Sequence, residues 1–422
     1  MLICTSYAYQ SNADNLGALV TAAGFDLSHI DAPAMHAVFA AMREEGDGIH
    51  TVEPLGTMFF RYADVAEIFA KPEQLSSAIF LDGPQAEHDA GDARQSLAVE
   101  TVGNILLFLD APSHTRLRSL VRHAFSAKAI LLWQKTVERV VDEVIAELEQ
   151  YRGEIVDYNE TVAHVVPIRV ISEILGVDAG DRPHFKQMTT AFVNVFDAAV
   201  TGAARAEALD LAGELAEFTM ALIEARRGAP RDDLVGLLIA AEEGGDKLTS
   251  EELVSSIAAL LAGGSHTIVA MLGNGIQFLH DNPEQLELVM RDHEKMAGAV
   301  DEIIRLEPSG RWTGRVATEP VDIGGRRFQP GDVVWAGMAS ANRDPRQFPD
   351  PERFDVERHP NRHLGFGRGV HYCLGAQLAR LQGRVVLPRM FEAFPGLSVM
   401  PDGQTWNNDF ISPSRITMPV RL

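Results

Sequence analysis

The stretch GFGRGVHYCLGAQLAR, residues 365–380, contains one of only two cysteines in this chain of 422 residues. Two cysteines, the other being Cys4, are too few to hold so long a chain together by disulfide bonds. Cys373 stands just before a helical pattern, and backbone N–H groups at a helix N-terminus favour a thiolate. A cysteine beside a glycine-rich turn is more often a small buried apolar residue. The rest of the pattern has to decide between these two interpretations.

Glycines surround this cysteine on both sides. Gly367, Gly369 and Gly375 would allow the backbone to approach a flat, bulky group, because glycine has no side chain. Phe366, Gly369, Cys373 and Gly375 form the pattern Phe-x-x-Gly-x-x-x-Cys-x-Gly, which closely resembles the haem-binding loop of the cytochrome P-450 family. The resemblance implies that the cofactor is haem b, that Cys373 is the thiolate ligand of its iron, and that Phe366 packs beneath the haem beside the sulfur.

A second family motif precedes the loop. Glu302 and Arg305 lie three residues apart, so on a helix they share one face, and taken alone they would be an ordinary surface pair. They match the Glu-x-x-Arg motif of the family, in which Arg358 of the segment FDVER completes a buried network that holds the haem loop. The resemblance implies that these three residues are structural and not catalytic.

The two propionates of a haem need cationic or hydrogen-bonding partners. The segment DAPSHTRLRSLVRHAF resembles the family's stretch in which a histidine and an arginine four residues apart reach the propionates. These are His114 and Arg118, which share one helical face. By the same resemblance, Arg315 and His371 occupy two further propionate positions.

The segment Leu253–Leu279 has no charged side chain and is long enough to cross a bilayer. Its serines, glycines, His266, Asn274 and Gln277 would be costly in lipid, so the pattern favours a helix buried in a protein core. Thr249 and Glu252 form a capping box at its start. If continuous to Asp281, this central helix would be roughly 48 Å long.

Within that helix, LLAGGSHTIV resembles the oxygen-binding helix of the family. Gly263, Gly264 and Thr267 match the motif, which widens the helix beside bound O₂, and the resemblance implies that Thr267 delivers protons there. His266 stands where the family normally has an acid. Either His266 relays protons itself, or it lines the pocket while water reaches Thr267 by another route.

The remaining patterns indicate a mainly α chain with a small β region, which is the α+β class and fits a cytochrome P-450 fold. We expect one domain over 1–422, with a loosely ordered N-terminal extension over 1–35. A strand pair is predicted within 49–65, a mostly irregular loop at 80–105, and three strands around two turns within 314–344. Helices are predicted between 113 and 306 and again to about Phe394, before a last strand pair.

Composition limits the partners. The net charge is −22, with 59 acidic and 37 basic residues, which argues against nucleic acid or an anionic membrane surface as a partner. The N-terminus lacks the basic and apolar regions of a signal peptide, so we expect a cytoplasmic protein, and we expect a monomer. A local positive patch for an electron donor is predicted from five residues: Arg116, Arg122, His123, Arg368 and Arg384.

The function implied by the resemblance is a haem-thiolate monooxygenase. It would oxidise a small to medium organic substrate with O₂ and two electrons from NAD(P)H, delivered by a ferredoxin and its reductase. One alternative is a peroxide-driven or non-monooxygenase haem-thiolate enzyme, which the change at His266 favours and the retained Thr267 opposes. Another alternative is a haem sensor or carrier without turnover.

The substrate pocket is implied by the family to involve 80–105, 190–200 and the turn NDFISPS at 408–414. Arg311 is unusual beside that pocket. It either binds a substrate carboxylate or faces solvent.

Overall fold

A computed structural model describes residues 32–52, 56–79, 92–125, 127–177, 182–195, 202–231, 233–243, 248–406 and 413–422. Helices dominate this part of the chain, as the apolar spacing predicts. In chain order they are α1 (Ala32–Glu44), α2 (Tyr62–Phe69), α3 (Ala93–Gly103), α4 (Ser113–Ala124), α5 (Ala127–Leu148), α6 (Val165–Leu175), α7 (Arg182–Asn194), α8 (Gly202–Gly228), α9 (Leu234–Glu243), α10 (Ser250–Gly263), α11 (His266–Asp281), α12 (Pro283–Arg291), α13 (Met296–Leu306), α14 (Met338–Ala341) and α15 (Ala376–Ala393).

The strands are few and short. They are β1 (Ile49–Val52), β2 (Gly56–Phe59), β3 (Leu75–Ser76), β4 (Ile155–Asp157), β5 (Trp312–Ala317), β6 (Val321–Ile323), β7 (Arg326–Phe328), β8 (Val333–Gly337), β9 (Ser398–Val399), β10 (Thr405–Trp406), β11 (Arg415–Thr417) and β12 (Pro419–Arg421). The largest sheet has the order β1-β2-β8-β5-β3, with β2 and β8 parallel. Strands from both parts of the chain therefore meet in one sheet, as predicted.

The predicted central helix is present but interrupted. Thr249 and Glu252 form the expected capping box at the start of α10. The helix breaks at Gly264 and Ser265, and the Ser265 hydroxyl donates to the carbonyl oxygens of Leu261 and Ala262, both at 3.1 Å. Together α10 and α11 are long and apolar enough to pass a length-and-composition test for a membrane span, but most of that stretch is buried inside the protein.

The helix that follows the cysteine loop packs closely against the central helix and against α13. A Cβ on Gly275 of α11 would lie 2.8 Å from both terminal methyl carbons of Leu387 on α15. A Cβ on Gly383 of α15 would lie 2.8 Å from a methyl carbon of Val300 on α13. These two glycines therefore allow α15, which follows the cysteine loop, to pack directly against the central helix and against α13.

Two predictions of secondary structure need correction. The segment 314–337 contains four strands and not three, because residues 318–320 bend the chain between β5 and β6. The expected N-terminal extension of 1–35 falls outside the described residues up to 31. Residues 32–35 form the first turn of α1, where Met35 is buried against the smallest of the three apolar clusters.

Candidate active site

The cysteine loop is fixed by its own backbone. The N–H of Cys373 donates to the carbonyl oxygen of Phe366 at 2.9 Å, and the N–H of Gly367 donates to Leu364 at 2.8 Å. Gly367 and Gly369 have φ angles of +68° and +75°, which side chains rarely adopt. These two glycines are therefore required by the turn itself, a reason that adds to the predicted close approach to a flat group.

The Cys373 thiol lies deep in the molecule yet remains accessible. Burial raises its pKa, while the backbone N–H groups of Gly375 and Ala376 and the charges on Arg118 and Arg380 act in the opposite direction. A deep but accessible group lines a cavity. The predicted position of the sulfur at the N-terminus of α15 is therefore present, with helix N–H groups and two guanidinium groups directed at it.

Arg380 is a residue that the sequence patterns did not single out, although it ends the quoted stretch. Its guanidinium carbon lies 4.6 Å from the ring centroid of Phe366, the predicted neighbour of the sulfur. Its Nε donates to Asp301 at 2.7 Å and one Nη donates to the Tyr372 hydroxyl at 3.0 Å. Arg380 therefore positions Phe366 and adds positive charge near the thiol.

The four predicted propionate partners come together. The rings of His114 and His371 lie 4.1 Å apart, and the charges on His114, Arg315 and Arg118 all act on His371. Burial and these neighbours lower the pKa of His371 to about 3, and burial lowers that of Arg315 to about 10. The carboxylate of Asp110 acts on His114 and Arg315, and it accepts hydrogen bonds from Ser76 and Ser77.

These features fit a haem. The His114 side chain is only 2% exposed, and its Nε2 has no hydrogen-bond partner among the described residues. Four crowded cationic or imidazole groups are stabilised by anions, and two propionates would supply them. A Cβ added to Gly375 or Gly263 would meet no atom within 4 Å, so there is space beside both glycines. Cys373, His114, Arg118, Arg315 and His371 are the residues that would hold the group.

The break in the central helix presents Thr267. Its side chain is exposed, and Oγ1 donates to the carbonyl oxygen of Gly263 at 2.9 Å, the local bond that loosens this turn. Ser309 donates to the carbonyl oxygen of Thr267 at 2.6 Å and so fixes the turn from the segment after α13. The Gly263–Thr267 region therefore has an accessible hydroxyl at a widened helix, as the motif predicts.

His266 has a second histidine as a neighbour. The pKa of His164 is lowered to about 4, mainly by burial. The charge of Lys186 and, more weakly, that of His266 also lower it, while Glu160 acts in the opposite direction. Lys186 and Glu160 form an exposed ion pair at 3.1 Å. His266 therefore acts electrostatically on a second imidazole, and the charged side chains of Lys186 and Glu160 act on the same group. Sequence patterns could not identify His164, because it lies 102 positions away along the chain.

Glu302, Arg305 and Arg358 form a buried network. Arg305 donates to both Glu302 oxygens at 2.7 Å, and Arg358 donates to one of them at 2.9 Å. Arg305 also donates to the carbonyl oxygen of Asn342 at 2.9 Å, and Asn342 accepts the N–H of Leu364 at 2.6 Å. The network thus connects α13 to the backbone just before the cysteine loop.

We expect Arg358→Met to destabilise the protein by about 3 kcal/mol, because it leaves the fully buried Glu302 short of a partner. Urea unfolding followed by circular dichroism and by haem absorbance measures the effect. Arg327→Met is the matched control, since Arg327 forms an exposed pair with Asp322 and its loss should cost less than about 1 kcal/mol. Equal midpoints for the two variants would contradict the structural role.

Arg311 corrects another prediction, because it neither faces solvent nor is available for a substrate carboxylate. It is 1% exposed and pairs with Glu307 at 2.7 Å. Glu307 is also bonded to His36 at 2.6 Å, and together these partners hold its pKa well below the usual range. Of the predicted pocket segments, 80–91, 196–200 and 407–412 lie outside the described residues, while 93–103 form α3.

Comparisons with known proteins agree with this arrangement. Residues 85–419 match the family model described as Cytochrome P450. The chain is 38% identical over 317 residues to 6-deoxyerythronolide B hydroxylase of Saccharopolyspora erythraea, covering 74% of this chain and 76% of that protein. It is 33% identical to Cytochrome P450 107B1 of the same organism, covering 92% and 94% respectively.

Solved structures give the same result. The polyketide synthase cytochrome P450 PksS of Bacillus subtilis superimposes with a TM-score of 0.81 at 30% identity, over 93% of this chain and 98% of that one. The family match spans the oxygen-helix break, the buried glutamate–arginine network and the cysteine loop alike. The chain therefore belongs to the cytochrome P450 family and is a P450 monooxygenase.

Proposed function

We propose that this protein inserts one oxygen atom of O₂ into a small to medium organic substrate, using haem b and two electrons from NAD(P)H delivered by a ferredoxin and its reductase. The observation that carries the proposal is the deep, accessible thiol of Cys373 at the N-terminus of α15. The names of two relatives, a 6-deoxyerythronolide B hydroxylase and a polyketide synthase P450, support an organic substrate of natural-product type.

The residues of the site would have two tasks, to hold the haem and to move protons. Haem bound through a thiolate supplies a redox-active iron that activates O₂. Cys373 would be the ligand of the iron, and the N–H groups of Gly375 and Ala376 lower the pKa of its thiol against the effect of burial, which raises it. His114, Arg118, Arg315 and His371 would bind the two propionates and so orient the haem.

Thr267 handles protons at its Oγ1 atom. In the structure Oγ1 donates to Gly263, and the same hydroxyl can turn to donate to the reacting oxygen site. His266 and His164 then lead from this hydroxyl to Glu160 and Lys186 at the surface. His164 is neutral near pH 7, because its pKa lies at about 4, and a neutral imidazole can accept a proton on one nitrogen and donate from the other.

Turnover assays separate the candidate functions. NAD(P)H oxidation is measured with ferredoxin and its reductase, with and without candidate substrates that first give a type I spectral shift. Substrate-dependent NAD(P)H consumption with an oxygenated product supports the proposal. Product formation from hydrogen peroxide alone would identify the peroxide-driven alternative, which the histidine at position 266 favours, and binding without any product would identify a sensor or carrier.

We also propose that the protein works in the cytoplasm as a monomer. The net charge of −22 disfavours anionic surfaces. The most apolar helical stretch, α10 with α11, is mostly covered by other parts of the protein.

The electron donor is proposed to dock over the cysteine loop, on a positive patch. Of the predicted patch residues, Arg122, Arg368 and Arg384 are exposed, and the side chain of His123 is not among those the structure describes. Arg116 is paired with Glu252 and contributes less charge than predicted. We expect Arg122→Glu to slow ferredoxin reduction of the protein several-fold, because local charge steers docking even in a protein of like net charge.

Stopped-flow reduction measures this rate. Arg291→Glu is the control, since Arg291 is exposed at the end of α12 and lies outside the patch. The spectrum of the reduced CO complex should be unchanged in both variants. Equal reduction rates for Arg122→Glu and the wild type would show that the electron donor does not dock on this patch.

A further inference from the structure

A cavity of about 330 Å³ lies between α3, α8 and the N-terminal part of α10. This volume is at the lower end of the range for small-molecule sites. Its walls include Leu97 of α3, Met220 and Ile223 of α8, and Val254 of α10. Met220 is 47% exposed, so part of the apolar wall is accessible from solvent. The cavity can therefore receive an apolar group of moderate size.

The charged residues at the cavity are mainly acidic. Glu100, Glu224 and Glu251 come from three different helices, and Arg227 is the cation among the lining residues. Arg227 pairs with Glu224 at 2.7 Å, which leaves the carboxylates of Glu100 and Glu251 in excess. Hydrogen bonds from its own backbone N–H and from Thr249 lower the pKa of Glu251, so it stays ionised near neutral pH. A positively charged ligand would therefore complement the charge of this cavity.

Ser255 is an independent sign of a binding site. It lines the cavity, is 1% exposed, and its Oγ has no hydrogen-bond partner among the described residues. Buried hydroxyl groups in proteins nearly always have a partner. Thr101, the other buried hydroxyl on this wall, donates to the carbonyl oxygen of Leu97 at 2.7 Å. The Ser255 hydroxyl therefore remains available to a ligand.

The cavity borders the predicted pocket segment 80–105 through α3, but it is distant from the predicted haem and proton residues. Ser255 precedes Gly263 by eight residues on α10, which corresponds to about 12 Å along the helix. None of the predicted haem or proton residues lines the cavity. A ligand here would contact the start of the central helix without entering the space beside Gly263.

We propose that this cavity binds an amphipathic cation, with an apolar chain against the Leu97 and Val254 wall and a guanidinium or ammonium head between Glu100 and Glu251. The Ser255 Oγ accepts a hydrogen bond from the head group. The predicted haem and proton residues take no part in this site, so its test is independent of monooxygenase activity.

Octylguanidinium is a suitable probe, because a guanidinium is always protonated and cannot ligate iron as a free amine would. N-octylurea has a similar shape without the charge. Binding to the haem-loaded protein is measured by calorimetry with imidazole held on the iron, and the Soret band is recorded in parallel. We expect octylguanidinium to bind about tenfold more tightly than N-octylurea, with the Soret band unchanged.

Variants locate the site. Glu100→Gln with Glu251→Gln should weaken octylguanidinium about tenfold, and Ser255→Ala about fivefold. Glu284→Gln, at an exposed acid on α12, is the control and should bind like the wild type. If the double variant does not retain haem, the affinity of the exposed Glu100→Gln single variant for octylguanidinium is the test of the proposal. Wild-type affinity in the glutamate variants, equal affinity for the two probes, or displacement of imidazole by the probe would each overturn the proposal.

Discussion

Cys373→Ala is expected to abolish the red-shifted Soret band of the reduced CO complex and to reduce monooxygenase turnover to background. The thiolate is the ligand that gives this band in the family, and alanine offers no replacement. The four predicted propionate partners, His114, Arg118, Arg315 and His371, do not depend on the sulfur, so the variant should still bind some haem. The CO difference spectrum, normalised to haem content, measures the loss.

Cys4→Ala is the matched control for this experiment. Cys4 lies outside the described residues, and it is the other cysteine of the chain. Its replacement should leave both the band and turnover unchanged. A red-shifted CO band that persists in Cys373→Ala would show that the iron ligand has been wrongly assigned.

Local sequence was enough to predict the cysteine loop. Cys373 and the turn at Gly367 and Gly369 are encoded within a few residues, and the α15 N-terminus follows directly. The capping box at Thr249 was also predicted, because its two partners are three residues apart. In these cases the physical cause of the structure is contained in the pattern itself.

The rest of the site depends on contacts between distant segments. Arg311 was predicted either to bind a substrate carboxylate or to face solvent. Its partner Glu307 is only four positions away, but the burial of this pair against His36 of α1 depends on the other end of the chain. Arg380 reaches Asp301 across 79 positions. Burial of this kind is decided by how α13, α15 and α1 pack, and a single sequence contains no local signal for it.

Thr267→Ala is the second variant with a large expected effect. It removes the Oγ1 hydroxyl, which is accessible at the helix break, and leaves Gly263 without its hydrogen bond. Loss of a positioned proton donor typically slows a reaction about 10²-fold or more. We therefore expect product formation to fall by about that factor while NAD(P)H oxidation continues and hydrogen peroxide accumulates. Thr267→Ser keeps the hydroxyl and should restore product formation, and a fully coupled Thr267→Ala enzyme would exclude this role.

His266→Phe then decides how protons reach that hydroxyl. An ordinary histidine titrates near pH 6.5, so a relay through His266 should make coupling of NAD(P)H to product fall as the pH rises from about 6 to 8. His164 cannot cause this dependence, because its pKa of about 4 keeps it neutral throughout this range. Phenylalanine keeps the bulk and removes the titrating group, so coupling should be lower and no longer depend on pH.

The control for that experiment is His184→Phe, at an exposed histidine paired with Glu214 on α8. It should retain the wild-type pH profile. If His266→Phe also retains the wild-type coupling and profile, His266 is a pocket residue, and water reaches Thr267 past Ser309 or along the loosened turn. The relay is favoured because His266 lies close enough to His164 to act on its pKa, and the charged side chains of Lys186 and Glu160 act on the same imidazole.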